Sequence, residues 1–560
     1  MRCGEWVVVG GLSRKRLPGA GSISCTMDRR DLLKVSPLAV ASAVGYVARA
    51  EVPRVADAKV LFDVRDYGAT GDGKTVDTPA INRAIEAVAA AGGGTLVFPA
   101  GTYVCFTIRL KSGVDLWLSN GCVILAADSP KSGETTGYRG GTYDPAGPAQ
   151  EWEAYQDYGH NHWANSLFYA DGQHDFAIYG RGLIWGKGLS SGAKEMRDGT
   201  GGFIAEQAGV GNKSIALKNC RNVLLRDFSV LKGGHFALLA TGVENLTIDN
   251  VLVDTDRDGF DIDGCRNVRV SNCTVNSPWD DAICPKSSYA LGERRSTDNV
   301  TIANCLVAGM YKLGTVLDGT WKKYGPGDRV WGNGRIKCGT ESNGGFRNIA
   351  ITNCVCEDSR GISLETSDGA YFEDVAISNI TMRGTLDAPL FLRLNARNRG
   401  PKETIRAGTL RRVMISNLVS HDSAATASIF SGIPENAIED VKLSNCYFGH
   451  KGEYPAEAVG RVVPEMVDGY PELNKFGATP SNGFFVRHLR NLEMSHVEIA
   501  PEKMDARPAF WLEDVERADF FAVTAPGEKN FALRKVKDLR ILWSRAAKDV
   551  RVAAVEDETV

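Results

Sequence analysis

The chain has 560 residues, with Lys+Arg 65 against Asp+Glu 68 and a net charge of -3, so no global basic field argues for nucleic acid. Gly 61 and an aromatic share of 8% suit a turn-rich β protein better than a helical one. No run of eighteen or more apolar residues follows the N-terminus, which excludes a membrane-spanning helix and predicts a soluble mature protein.

Residues 1–50 read as an export region. Arg29-Arg30, the mildly apolar run from Val35 to Val47 and the exit Ala48-Arg49-Ala50 come in the order of a twin-arginine signal with an A-x-A cleavage site. Cleavage after Ala50 leaves 51–560 as one catalytic domain, delivered to the periplasm or secreted, with no membrane partner. Residues 1–26 fit no part of such a signal and suggest a misplaced start codon ahead of Met27.

Next in chain order, Asp77 or Thr78 is placed to cap a helix from Pro79 to about Ala91, whose apolar residues recur at helical spacing. Set over the first coil of a stack, such a helix would protect the open end from edge pairing.

A short unit then recurs along most of the chain, as in Asn245 to Asn250, Asn267 to Asn272, Asn299 to Asn304 and Asn348 to Asn353. It continues from Asp374 to Asn379, Arg412 to Asn417, Asp440 to Asn445 and Asn491 to His496. Repeats of this kind mean a stacked solenoid. Within a unit, Val268 and Val270 alternate with Arg269 and Ser271, so each unit is a short strand with one face inward. The asparagine after it tolerates a tight bend and can bond to the coils above and below. Asn245 and Asn267 stand 22 residues apart, about one coil of a right-handed, single-stranded parallel β-helix. Longer gaps leave room for loops that gather on one face and build a cleft. The unit from Val536 to Leu542 has lost the asparagine and is expected in a terminal coil or cap.

Thirteen cysteines do not make a disulfide framework here. Cys220, Cys273, Cys305, Cys354 and Cys446 each follow an Asn at the next inward position, which reads as a stack of small core residues. Cys354-Val355-Cys356 is too close for a structural zinc signature.

Asp258 precedes Asp280 by one coil and Asp281 follows at once, so the three carboxylates can meet on adjacent strands. Cleaving a glycosidic bond needs an acid for the leaving oxygen and a carboxylate to activate water. Carboxylates crowded in a groove raise at least one pKa, which keeps an acid protonated near neutral pH. Trp279 could stack on a sugar ring.

Two stretches carry a resemblance. The segment from Phe62 to Asn82 looks like the opening of pectate-lyase-superfamily chains. The central third, with Asp256-Arg257-Asp258-Gly259, Asp280-Asp281 and Gly339-Thr340-Glu341-Ser342-Asn343-Gly344, resembles glycoside hydrolase family 28, the polygalacturonases and their relatives. The resemblance implies a right-handed parallel β-helix and an inverting hydrolase needing neither metal nor organic cofactor, with a carbohydrate as its partner. It makes Asp280 the general acid and assigns the water to Asp258 and Asp281. Lys286, Glu341 and Lys337 follow as substrate-binding candidates.

Two family motifs are absent. Asn333 in Gly332-Asn333-Gly334 stands where the family has a histidine, and Ser363 and Glu365 stand where it has the arginine and lysine that hold a uronate. Arg335-Ile336-Lys337 occurs one unit too early to be that motif. Glu365 beside a uronate would set like charges together, so it is expected to accept hydrogen bonds from an uncharged sugar. A polysaccharide lyase on the same fold, needing Ca²⁺ or basic residues around a uronate, and a non-catalytic carbohydrate-binding solenoid are the competing readings.

Overall fold

The computed structural model describes residues 60–128, 141–157, 159–191, 208–454 and 456–560. The expected export signal, with Arg29, Arg30 and the exit at Ala50, lies outside them, as do Cys3 and Cys25. The described chain winds into a right-handed parallel β-helix. In one coil the strands Phe236–Thr241, Glu244–Asp249 and Leu252–Asp254 follow one another. Each pairs in parallel with its counterpart in the next coil: Asp258–Asp263, Arg266–Ser271 and Thr274–Asn276.

The alternation in the repeat sends one set of side chains inward. Leu246, Val268, Val300, Ile349, Val375, Val413 and Val441 stand in register up the stack and all are buried. Each such burial is worth about 1.5–3 kcal/mol, and the same small set of side chains can supply it coil after coil. At the C-terminal end the interior turns aromatic, and Phe484, Phe510 and Phe531 stack face to face at 6.0 and 4.7 Å between ring centres.

Asparagines bound the unit at both ends, giving two rows rather than the single corner expected from sequence. Asn267, Asn299 and Asn348 begin units with φ near 57°, and Asn304, Asn353, Asn379 and Asn417 end them with φ near 55°. Asn is among the few residues that enter this left-handed region readily. Their partners are one another's side chains. Asn299 donates to Asn267 and Asn348 to Asn299, each at 2.9 Å, and Asn353 donates to Asn304 at 3.2 Å. The cysteines that follow Asn lie in the core, and the S–H groups of Cys273, Cys305, Cys354 and Cys446 donate to the carbonyl two residues earlier at 3.2–3.3 Å. All eleven described cysteines are unbridged and buried.

The helix is Thr78–Ala90, and its buried face of Ala80, Ile81, Ala84, Ile85 and Val88 joins the start of the core. Neither candidate cap acts as expected. The Asp77 carboxylate accepts from the backbone of Thr70 and Gly71, and the Thr78 hydroxyl accepts from Phe106 N. At the other end Phe531–Leu542, the unit without asparagine, is the last parallel strand, and Val550–Thr559 runs antiparallel to it. This last strand covers an edge that would otherwise pair with another chain.

One sheet carries the polar cluster on its outer face, through Asp258–Asp263, Ile283–Lys286, Ile336–Cys338 and Ile362–Thr366. Along the axis that face is apolar and covered on either side of the cluster. Trp163 packs on Phe236 and Leu239 in the earlier coils, while Leu473 and Phe476 pack on Phe391, Ile429 and Phe485 in the later ones. The polar cluster lies between the two.

Candidate active site

Asp258 opens its strand, and backbone bonds from Gly259 N to Asp281 O and from Phe260 N to Ala282 O bring the next coil alongside. With Phe260 opposite Ile283, this register sets Asp258 level with Asp281 rather than Asp280. Asp280 bulges toward solvent and is the most exposed of the three, at 26% of its side chain. One oxygen from each carboxylate lies within 4.8 Å of the others. They border a cavity of about 290 Å³ together with Asp157, His160, His235, Arg257, Lys286, Lys337 and Tyr470.

Basic groups meet the acids one by one. Arg257 Nη2 donates to Asp280 Oδ2 at 2.7 Å and stands 3.9 Å from Asp258. Arg335 Nε donates to Asp281 Oδ1 at 2.6 Å, and Lys337 Nζ lies 3.4 Å from Asp281 Oδ2. Lys286 Nζ donates to Glu341 Oε2 at 3.2 Å and lies 3.9 Å from Asp261. Arg399 ties Glu341, at 3.0 Å, to Asp157, at 2.7 Å.

These contacts split the carboxylates. Burial, then repulsion from Asp280 and Asp261, pushes Asp258 well above the usual carboxylate range. Burial also acts on Asp281, but Arg335 and Lys337 outweigh it and hold that carboxyl below its ordinary value. Burial opposes the charges on Lys286 and Lys337, yet their acidic neighbours keep both well above the usual lysine value. His160 is pushed down to about 3 by burial and by Lys286, and His235 falls well below its ordinary value through burial and Arg257. Both imidazoles are neutral. The site thus holds one carboxyl pushed toward its protonated form, one pushed toward its ionised form, and cations already paired with anions.

Several expectations need correction. Glu365 does not face a sugar: it is fully buried, with its oxygens accepting from Ser363 Oγ at 2.5 Å and Thr340 Oγ1 at 2.8 Å and with Lys337 at 3.7 Å. Glu341 is likewise buried beneath Lys286. Trp279 is half-buried and does not border the cavity. Arg335-Ile336-Lys337, set aside as one unit early, stands beside the acid pair because Ile336 pairs with Ile283. The site is therefore rich in the basic residues that the competing lyase reading calls for. Asp263 and Asp254 are structural, accepting from Ser288 and from the backbone of Gly314 and Val316.

Sequence reasoning missed the groups carried on insertions. Asp157 and His160 come from the segment before the strand Ser166–Asp171, and Tyr470 from the long loop between the strands Ile438–His450 and Phe484–Pro501. Arginines pin that loop. Arg393 donates to the carbonyls of Glu465 and Met466, Arg487 to those of Val463 and Pro464, and Arg335 to Glu472. No repeat or motif marks these residues.

The family model described as rhamnogalacturonase A/epimerase, pectate lyase-like, matches residues 61–122. Among curated relatives, a probable polygalacturonase of Vitis vinifera is 21% identical over 341 residues, spanning 57% of this chain and 60% of that protein; the chain thus covers less than two thirds of this relative's length. Among solved structures, an exopolygalacturonase of Thermotoga maritima aligns with a TM-score of 0.55 at 18% identity, over 79% of this chain and 91% of the other. The family 28 exopolygalacturonase of Yersinia enterocolitica aligns with a TM-score of 0.57 at 17% identity, over 81% and 78%. The fold is the polygalacturonase-like parallel β-helix. At these identities the structural likeness is one of fold, and the chemistry has to be argued from the cavity of this polygalacturonase-like chain itself.

Proposed function

We propose that the chain is an O-glycosyl hydrolase acting on a pectic or related polysaccharide or oligosaccharide. The reading is carried by one observation: three aspartates converge on one cavity, with Asp258 driven toward its protonated form and Asp281 toward its ionised form. Two carboxyl groups pushed apart in this way are what acid–base cleavage of a glycoside requires. The family resemblance makes Asp280, the most exposed, the group that hands a proton to the leaving oxygen; paired with Arg257, it draws that proton from Asp258 beside it, the carboxyl raised by burial and by Asp280 itself. Asp281, fixed by Arg335 and Lys337, orients the water. The cavity is close in size to the lower end of ligand clefts, roughly 300–1,000 Å³, which suits one or two sugar residues.

The lyase reading is disfavoured by the same contacts. Proton abstraction needs a group that is unprotonated yet basic enough near working pH; His160, pushed down to about 3, and His235, well below its ordinary value, are too weakly basic. Lys286 and Lys337 are held charged, and Tyr470 is pushed up to about 12 by burial.

The stereochemical course belongs to the proposal too. Inversion follows from the family resemblance, whereas oxygens within 4.8 Å approach the roughly 5–5.5 Å of retaining pairs more than the roughly 6.5–9.5 Å of inverting ones. Following the first-formed product anomer by NMR on a panel of pectic polysaccharides separates the two. Asp280→Asn should lower turnover by about a hundredfold or more while the fold is kept; near-normal turnover would move the chemistry elsewhere. Export by the twin-arginine route is part of the same proposal, and N-terminal sequencing of secreted protein should begin at Glu51.

A further inference from the structure

Among the described residues the most exposed tryptophan stands at a position that asparagine fills elsewhere. The row of unit-ending residues runs through Asn417 and Asn445 to His496, Ala522 and Trp543, following the register of Ser416, Ser444, Ser495, Phe521 and Leu542 beside it. Trp543 keeps the left-handed backbone of the row, with φ 58°, yet its side chain is 77% exposed. A bulky residue in that region is strained, and here no burial compensates. Its ring lies 5.7 Å from that of Phe521, itself 40% exposed, and the His496 ring packs on Phe521 from the other side at 5.7 Å. Strain and apolar exposure combined at one spot point to a binding role.

Phe521 lines a groove of about 590 Å³, in the coil before the last one the groove crosses, and the groove shares no residue with the catalytic cavity. Along it, Ser416, Ser444 and Ser495 present hydroxyls in register, one per coil. The charges that border it are paired within the protein: Lys442 with Glu493 at 2.9 Å, Arg540 with Asp519 at 2.5 Å, and Arg517 between the same two anions at 3.5 and 3.6 Å, which leaves one positive charge in excess. Such a surface offers hydrogen-bond donors and acceptors with only one excess positive charge, spread over internal ion pairs, so it repels a strongly basic partner and gives a polyanion little to grip. Hydroxyls along a floor and an aromatic face at its end complement a pyranose, which has a hydroxyl rim and an apolar face. The rungs repeat at about 4.8 Å, comparable to one hexose residue of an extended glycan, so a sugar chain lying along the axis meets an equivalent group at each residue.

We infer that this groove, with the Phe521–Trp543 pair at its end, is an accessory binding site for a neutral polysaccharide chain, separate from the catalytic cavity. The inference borrows its ligand class from the hydrolase reading but does not need hydrolysis. Affinity electrophoresis of the full-length Asp280→Asn protein through gels containing pectic galactan, arabinan or polygalacturonate tests it. The expected result is retardation by galactan or arabinan that weakens by about tenfold or more when Phe521→Ala and Trp543→Ala are added. Trp543→Asn, which restores the residue of the row and relieves the backbone, should weaken binding in the same direction and fold at least as well. Equal retardation of all these proteins, or retardation by none of the neutral glycans, overturns the inference. A change in sedimentation coefficient on Trp543→Asn, with glycan binding intact, also overturns it by making a second copy of the chain the occupant. Loss of hydrolysis in the otherwise native enzyme bears on the cavity alone, because binding is scored in a protein that does not need to turn over.

Discussion

Arg335 donates from Nε to Oδ1 of Asp281 across 2.6 Å, with both side chains about 2% exposed. The same guanidinium reaches Glu472 Oε1 at 2.6 Å, so the arginine joins the acid pair to the loop that carries Tyr470. Removing one member of a buried pair leaves the other charge uncompensated. Asp281→Asn should therefore destabilise the protein by about 3–5 kcal/mol near neutral pH. The carboxyl of Asp281 is depressed in the folded state, so its contribution is present above the unfolded carboxylate value and is lost as pH falls through the folded one. Denaturant titrations at about pH 7 and pH 3 check this: the penalty should shrink on acidification.

Asp258 should behave in the opposite sense. Its carboxyl is raised by burial and by Asp280 and Asp261, so the folded protein holds this proton more tightly than the unfolded chain. Stability from that proton is complete below the unfolded carboxylate value and is lost as pH rises through the raised one. Asp258→Asn, which removes the titration, should match the parent in acid and exceed it in thermal midpoint at neutral pH while losing turnover. A variant less stable than the parent at neutral pH would show that the carboxylate form is favoured there.

Uronate recognition gives a third prediction. Each cation bordering the cavity is matched to an anion: Arg257 to Asp280, Lys286 to Glu341 and Lys337 to Asp281. A galacturonate carboxylate would have to break one of these pairs. Little or no activity is expected on unbranched polygalacturonic acid, with activity on rhamnose-, galactose- or arabinose-containing side chains instead. Reducing-sugar release from the two substrate classes is the measurement. Rapid release from polygalacturonate would direct attention to Lys286 and Lys337.

The asparagine rows make a fourth. Asn353 combines φ 55° with side-chain bonds to Asn304 and from Asn379. Asn353→Ala should cost about 1–2 kcal/mol in backbone strain in addition to the lost bonds, whereas Asn353→Gly loses the bonds without the strain. Chemical denaturation should rank the native protein above the glycine variant, and the glycine variant above the alanine one.

The fold was legible because a coil is a local event. The alternation at Val268 and Val270, the bend at Asn272 and the return one coil later can all be read within two dozen residues. The aspartates were legible for the same reason, since Asp258 and Asp281 sit at fixed places on neighbouring coils. What lies between coils was not. The insertion ahead of Arg335 hides how close that residue comes to Asp281, and Tyr470, Asp157 and His160 arrive on segments without periodicity. Glu365 misled because an outward position on a strand usually means solvent, whereas here Lys337 and Thr340 close over it.

The hydrogen bond from Asn348 to Asn299 spans 49 residues of sequence, the one from Asn299 to Asn267 spans 32, and both measure 2.9 Å. The seventeen additional residues leave no trace in the spacing of the posts. Closing a longer loop adds only a logarithmic entropy, about 0.6 kcal/mol per doubling. Insertions and deletions between posts are therefore nearly free to the scaffold, although they rebuild the walls around the aspartates. In such a protein, selection on substrate can act through loop length while the frame that aligns the catalytic groups is inherited unchanged.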